Sequence, residues 1–294
     1  MSTLVCIPAF NEEKIIGKMV KECLKYSDQV IICDDGSTDK TFEEAELAGA
    51  ICLKHKKNLG KGAALKSLFN YAKNVNFDII ITIDGDGQFL PEEIPKLRKP
   101  IENNSTDIVI GNRFSDMSEM PAYRKFGNKI LDKMTNLASD LPIEDSQSGY
   151  RAYSKKSIEE IEFDMKGFGS DAEILIDASR KGFRISEEKV KVIYNTGMKT
   201  STKNPISHSG EVVTSLLEII AIKSPLKFIG IPGSILLVFG VFFSINVVNL
   251  FTETQYFSIP YTMAAITCFV IGTMLVLMAI LLFSISRTSR KNET

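Results

Sequence analysis

Hydrophobic and polar positions follow one rhythm over the first two hundred residues and another at the end. The apolar, β-branched runs TLVCI, QVIIC, ICLKH and FDIIITI alternate with helically spaced stretches, Glu12 to Tyr26, Asp39 to Ala48 and Lys61 to Lys73. Strand and helix in turn predict an α/β fold, a parallel sheet wrapped on both faces by helices. TDIVIG adds a later strand, a helical stretch begins near Pro121, and Arg184 to Tyr194 reads as the last strand.

From Phe228 the pattern turns apolar throughout. Phe228 to Leu250 carries no charge and at ~1.5 Å per residue reaches about 34 Å, enough to cross a hydrocarbon layer. Ile259 to Ser286 is a second such stretch, and Glu253 is the one charged residue between Phe228 and Ser286. Lys223 and Lys227 precede the pair, Arg287, Arg290 and Lys291 follow it, and the connecting FTETQYFSI has neither Lys nor Arg. That asymmetry predicts a multi-pass protein of the cell membrane, helices at about 228–250 and 260–284, with both chain ends cytoplasmic. Just upstream, Val212, Leu216, Ile219 and Ile220 share a helical face in residues 211–227. This segment reads either as an interfacial helix or as a helix packed on the domain before it. The expected organisation is a soluble domain at 1–210, the amphipathic segment at 211–227, two spans within 228–286, and a basic tail at 287–294.

Composition narrows the classes. With 44% apolar and 24% charged residues the chain is not mainly disordered, and a formal net charge of −1 supplies no basic face for nucleic acid. The five cysteines are odd in number, lack C-x-x-C spacing and sit mostly in apolar runs, so they read as small core residues. The opening TLVCIPAFNEE lacks a basic stretch followed by a long apolar run, and no cleavable signal peptide is expected.

In parallel α/β sheets ligands gather where the strands end. After the first strand stand Pro8, Ala9, Phe10, Asn11 and Glu12; after the second Asp34, Asp35 and Gly36; after the fourth Asp84, Gly85, Asp86, Gly87 and Gln88. DDGS by itself describes a turn and a helix cap. Asp84 and Asp86, on alternate residues beyond a buried strand, put two carboxylates on one side and call for a cation. Hard oxygens in small number suit Mg²⁺ or Mn²⁺, with Gln88 as a neutral third ligand. Lys61, between Gly60 and Gly62, reads equally as an anion contact at a helix start or as a solvated lysine.

PAFNEE, DDGSTD, NLGKGAAL and DGDGQ, in this order, followed by GNRF, DSQSGYRAYS and GFGSDAEIL, resemble family 2 glycosyltransferases of the glycosyltransferase-A fold. With the apolar end the resemblance extends to the polyprenyl-phosphate (dolichyl-phosphate mannose synthase-like) branch. It implies a Rossmann-like, mostly parallel catalytic domain and transfer of one hexose from a nucleotide-diphosphate sugar, GDP-mannose or UDP-glucose in type, to a polyprenyl phosphate with inversion. By matching position it places Pro8, Ala9, Asn11, Glu12, Asp34, Asp35, Asp84 and Gly85 at the nucleotide and Asp84, Asp86 and Gln88 at the metal. It makes Asp145, Arg113 and Arg124 the catalytic residues. Arg113, Arg124, Lys199, Ser201 and Lys203 become phosphate or acceptor contacts, the last three on the polar stretch Asn195 to Ser209. Asp145 is either a base or a group that orients substrate, since a lipid phosphate is already ionised near neutral pH.

Alternatives remain. A processive polysaccharide synthase resembles Q-x-x-R-W, and this chain has no tryptophan. A lipid-linked saccharide or protein acceptor, and a non-catalytic membrane scaffold, are the other readings; a homo-oligomer is left open.

Overall fold

A computed structural model describes residues 1–113, 129, 131–133, 135–136, 139, 141–163, 170–193 and 225–291, with side chains through residue 284. Arg124, Lys199, Ser201, Lys203 and residues 211–224 of the expected amphipathic segment lie outside the described residues. The chain divides into two compact units, 1–216 and 217–294.

The first unit is built on a seven-stranded sheet ordered β3-β2-β1-β4-β6-β5-β7. The strands are β1 (Thr3–Ala9), β2 (Gln29–Asp34), β3 (Ile51–Lys54), β4 (Ile79–Thr82), β5 (Ile108–Asn112), β6 (Arg151–Ser154) and β7 (Ile185–Lys189). β6 runs antiparallel to both β4 and β5, and every other pairing is parallel. The last strand is shorter than its sequence suggests. Val190 still donates its N–H to the Asn112 carbonyl, β5 then ends, and only Val192 pairs onward, in a single bridge to Phe89.

Side-chain alternation sorts the strand residues to two faces. Val5, Ile7, Val30, Ile32, Ile79 and Ile81 pack with α1 (Ile16–Cys23) and α4 (Ile94–Glu102). Leu4, Cys6, Ile31, Cys33 and Ile80 pack with α3 (Lys61–Lys73), α5 (Lys155–Glu160) and α6 (Ser170–Arg180). α2 (Thr41–Leu47) joins β2 to β3. β1, β2, β4 and β5 are buried on both sides and apolar nearly throughout, as a helix-covered parallel sheet requires, while the edge strands β3 and β7 are partly exposed. Cys6, Cys23 and Cys33 are buried thiols and none of the five cysteines is in a disulfide.

Because β1, β2, β4 and β5 all point the same way, their carboxyl ends share one edge. β6, running against them, begins at that edge. The topology therefore delivers the segment before β6, residues 145–150, to the rim formed by the other strand ends.

In the second unit a π-helical turn (Leu226–Gly230) leads into α7 (Ile231–Thr254), and α8 (Ile259–Lys291) follows. Both helices are long and apolar enough to cross a membrane, and only 17% and 11% of their most apolar windows are buried. They run antiparallel: Gly240 faces Phe269, while Gly233 meets Leu275 and the carbonyl of Gly272. α7 continues past Leu250 to Thr254 and stops where Gln255 turns left-handed at φ 54°.

Candidate active site

β1 ends on Pro8 and Ala9, which are strand residues rather than the loop after it. Asn11 then turns left-handed at φ 57°. Its N–H donates to Ser37 Oγ at 2.9 Å and its Oδ1 accepts the Thr38 N–H at 2.9 Å, fastening the β1 loop to the β2 loop. Glu12 donates its N–H to Thr41 Oγ1. Burial, followed by the charges of Asp86 and Asp39, pushes the Glu12 carboxyl up to about 7.

Asp34, the last residue of β2, and Asp35, just beyond it, have different partners. Asp35 accepts the N–H groups of Leu59 and Gly60, 3.0 and 2.7 Å away, just before α3, and meets His55 Nδ1 at 2.6 Å. The far nitrogen of His55 meets Ser67 Oγ at 2.9 Å, so a histidine without an evident partner in sequence is bound on both sides. Asp34 is fully buried. Its Oδ1 accepts the Ser37 N–H, and its Oδ2 finds no hydrogen-bond partner, with Lys54 Nζ 3.6 Å away.

β4 stops at Thr82, so Asp84 and Asp86 stand on the turn beyond it, and strand alternation is not what joins them. The turn closes through Gly87 at φ 72°, where a Cβ would strike Ile15 Cδ1 at 2.2 Å. The Gln88 N–H donates to Asp86 Oδ1, and the Gln88 carbonyl accepts from Ile193. Burial first, and Asp84 second, raise the Asp86 carboxyl above its ordinary range; the Gln88 N–H, Lys61 and Arg113 oppose them.

Lys61, the first residue of α3, reaches Asp84 Oδ1 at 2.8 Å and Asp171 Oδ2 at 3.2 Å. Burial disfavours its charge, but Asp171 and Asp84 outweigh that and hold the ammonium above the usual lysine value. Asp171 sits in the first turn of α6, and Arg151, fully buried, donates to its carbonyl at 2.8 Å. Gly149 forms the floor: a Cβ there would lie 2.5 Å from both Asp84 oxygens and 2.6 Å from Lys61 Nζ.

Farther along the rim, Arg113 leaves β5 and holds Asp145 in a fork, Nε to Oδ2 at 2.8 Å and Nη2 to Oδ1 at 2.7 Å. Asp145 is fully buried. Glu187, on β7, accepts the N–H groups of Asp145 and Glu144 at 2.9 and 3.0 Å. Asp132 accepts both the N–H and the hydroxyl of Ser146; burial pushes its carboxyl up to about 7.

The structure thus brings Glu12, Asp84, Asp86, Arg113 and Asp145 to one edge, with Asp34 and Asp35 at the neighbouring strand end. Residues 4–162 match the family described as Glycosyl transferase family 2. The chain belongs to glycosyl transferase family 2. Among similar proteins, a UDP-N-acetylglucosamine–dolichyl-phosphate N-acetylglucosaminyltransferase of Methanococcus voltae is 35% identical over 211 residues, covering 64% of this chain and 84% of its own. A dolichyl-phosphate hexose transferase of Haloferax volcanii is 26% identical over 218 residues, 73% and 92% of the two chains. The fold of this glycosyltransferase is shared with glucosyl-3-phosphoglycerate synthase from Mycobacterium tuberculosis, crystallised with Mn²⁺, UDP and phosphoglyceric acid; the TM-score is 0.58 at 21% identity, over 74% and 78% of the chains.

Sequence reasoning left Lys61 outside the candidate set and did not single out Asp171, Glu187 or Asp132. Asp171 carried a signal, an acid in the opening turn of a helix within GFGSDAEIL. Glu187 carried a weaker one, a polar side chain in a strand. Asp84 and Asp86 fit a hard divalent ion on chemical grounds, two carboxylates two residues apart on one turn, although no cluster of three His, Cys, Asp or Glu groups stands among the described residues. Such a pair leaves coordination positions for water and diphosphate oxygens.

Proposed function

We propose that this glycosyltransferase moves one sugar from a nucleotide diphosphate to a polyprenyl (dolichyl) phosphate, at the cytoplasmic face of a membrane that α7 and α8 span. One observation carries the reading: the Asp84–Asp86 acids just beyond β4 and the Arg113–Asp145 fork just beyond β5 stand at the same carboxyl edge of the sheet. The named activities of the M. voltae and H. volcanii relatives, and two exposed apolar helices, support the lipid phosphate as acceptor. The excess of basic residues at both ends of the pair of helices supports the orientation.

In this reading Pro8, Ala9, Asn11, Glu12, Asp34, Asp35 and Gly85 surround the nucleoside, with Asp34 Oδ2, buried and without a hydrogen-bond partner, as acceptor for a base N–H. Asp84 and Asp86, with Gln88, would hold Mg²⁺ or Mn²⁺, and such an ion would supply positive charge to the departing diphosphate. Asp145 is a holder rather than a base: it is fully buried, and both its oxygens are taken by Arg113. The attacking phosphate oxygen is already an anion, so no proton needs removing, and the fixed guanidinium orients it. Arg124, Lys199, Ser201 and Lys203 remain proposed phosphate contacts on the sequence resemblance.

The test is incubation of purified protein with a polyprenyl phosphate, Mn²⁺ and a panel of UDP and GDP sugars, read by mass. The expected product is the lipid phosphate plus one sugar, absent with Asp86→Ala and with chelator. Product growth by successive sugars, or transfer only to a lipid that already carries a saccharide, would replace this acceptor assignment.

A further inference from the structure

We propose that Lys61 is an exchangeable cation of the Asp84–Asp86 site. With no divalent ion bound its ammonium occupies Asp84; when an ion arrives it withdraws to Asp171, which is held ready for it. The inference rests on the metal role proposed for Asp84 and Asp86.

Three features of the geometry point to exchange. Lys61 already touches both acids, Asp84 Oδ1 at 2.8 Å and Asp171 Oδ2 at 3.2 Å, so leaving one does not strand the charge. The partners differ in freedom. Asp171 is anchored on α6 by Arg151, whose Nη1 donates to its carbonyl at 2.8 Å and whose Nη2 lies 3.9 Å from its Oδ1. The Lys61 side chain is 38% exposed on a flexible four-carbon stem, so it is the member that moves. Finally, both Asp84 oxygens and the ammonium converge on one point above Gly149, 2.5 and 2.6 Å from it. An ion held by the Asp84 carboxylate competes for the same side of that group, and two cations about 3 Å apart on one oxygen repel strongly.

Simple electrostatics also predicts that removing a cation strengthens metal binding and removing an anion weakens it, so single substitutions do not decide. A double-mutant cycle does. The readout is Mn²⁺ binding to the full chain in detergent, without donor, followed by the EPR signal of free Mn²⁺. Lys61→Met should bind about three- to tenfold more tightly than wild type, and Asp171→Asn several-fold more weakly. In the Lys61→Met background Asp171→Asn should have almost no further effect, because Asp171 acts only by receiving Lys61. Additive effects overturn the exchange. Lys61→Arg, which leaves Asp171 and Arg151 untouched, serves if the Asp171 variant fails to fold. Its planar fork holds both acids more firmly and should weaken Mn²⁺ binding, and unchanged binding counts against the exchange. Asp86→Asn separates the two levels: if it binds Mn²⁺ as wild type does, the metal site itself is wrong. If it does not and the cycle is additive, only the role of Lys61 falls.

Discussion

Arg113 donates to both carboxylate oxygens of Asp145 and, through its own backbone N–H at 2.9 Å, to Oδ2 a second time. A fully buried acid with both oxygens so engaged fixes the direction of the guanidinium. Asp145→Asn keeps one acceptor and loses the ionic fork, and should lower kcat at saturating donor by at least about tenfold. Asp145→Ala should also lower stability by on the order of 1–3 kcal/mol, by removing the ionic fork from a largely buried guanidinium. Turnover and thermal unfolding measured together check both; wild-type kcat in Asp145→Asn would remove the pair from the reaction.

Gly149 has no side chain to place between Asp84 and Lys61. Gly149→Ala puts a methyl 2.5 Å from both Asp84 oxygens, forcing the carboxylate or the ammonium aside. Because the crowded atoms are side-chain ends at a rim, the fold should lose no more than about 1 kcal/mol while Mn²⁺ affinity and transfer fall at least about tenfold. Isothermal titration beside a urea melt would show whether the two effects separate.

Asp132 supplies a pH dependence. Its carboxyl is pushed up to about 7 from an ordinary 3.8, mainly by burial. Between those values the folded protein keeps a proton that the unfolded chain has released, so this contribution to stability is complete below about pH 3.8 and disappears as pH rises toward 7. Asp132→Asn stays neutral throughout. Relative to wild type it should therefore gain on the order of 2–4 kcal/mol between pH 4.5 and pH 8. Urea melts of both proteins across that range test it, and parallel stability curves would contradict the assignment.

In the apolar unit, a Cβ on Gly233 would come within 2.9 Å of Leu275 Cβ and 3.0 Å of the Gly272 carbonyl. Gly233→Leu should push α7 and α8 apart and cost about 1–3 kcal/mol of helix pairing. Cross-linking efficiency between cysteines placed on the two helices gives the measurement; unchanged efficiency and unchanged melting would mean that the helices do not pack through this glycine.

Much of this was legible in the chain. Alternating TLVCI, QVIIC and FDIIITI with helical spacing determined the strands and helices, because a strand buried on both faces must be apolar at every position. Length and lack of charge determined that α7 and α8 suit a membrane, and the motifs from PAFNEE to GFGSDAEIL determined the family. Tertiary structure decided the rest, because it depends on pairings between residues far apart. The reversed direction of β6 is invisible in RAYS, yet it brings Asp145 and Gly149 to the rim. DDGS does not show which acid holds the loop before α3, which required Leu59 and Gly60 to arrive beside Asp35. Nor does GKG show that Lys61 lies between Asp84 and Asp171, since an ion pair forms across a fold and sequence spacing records only local neighbours.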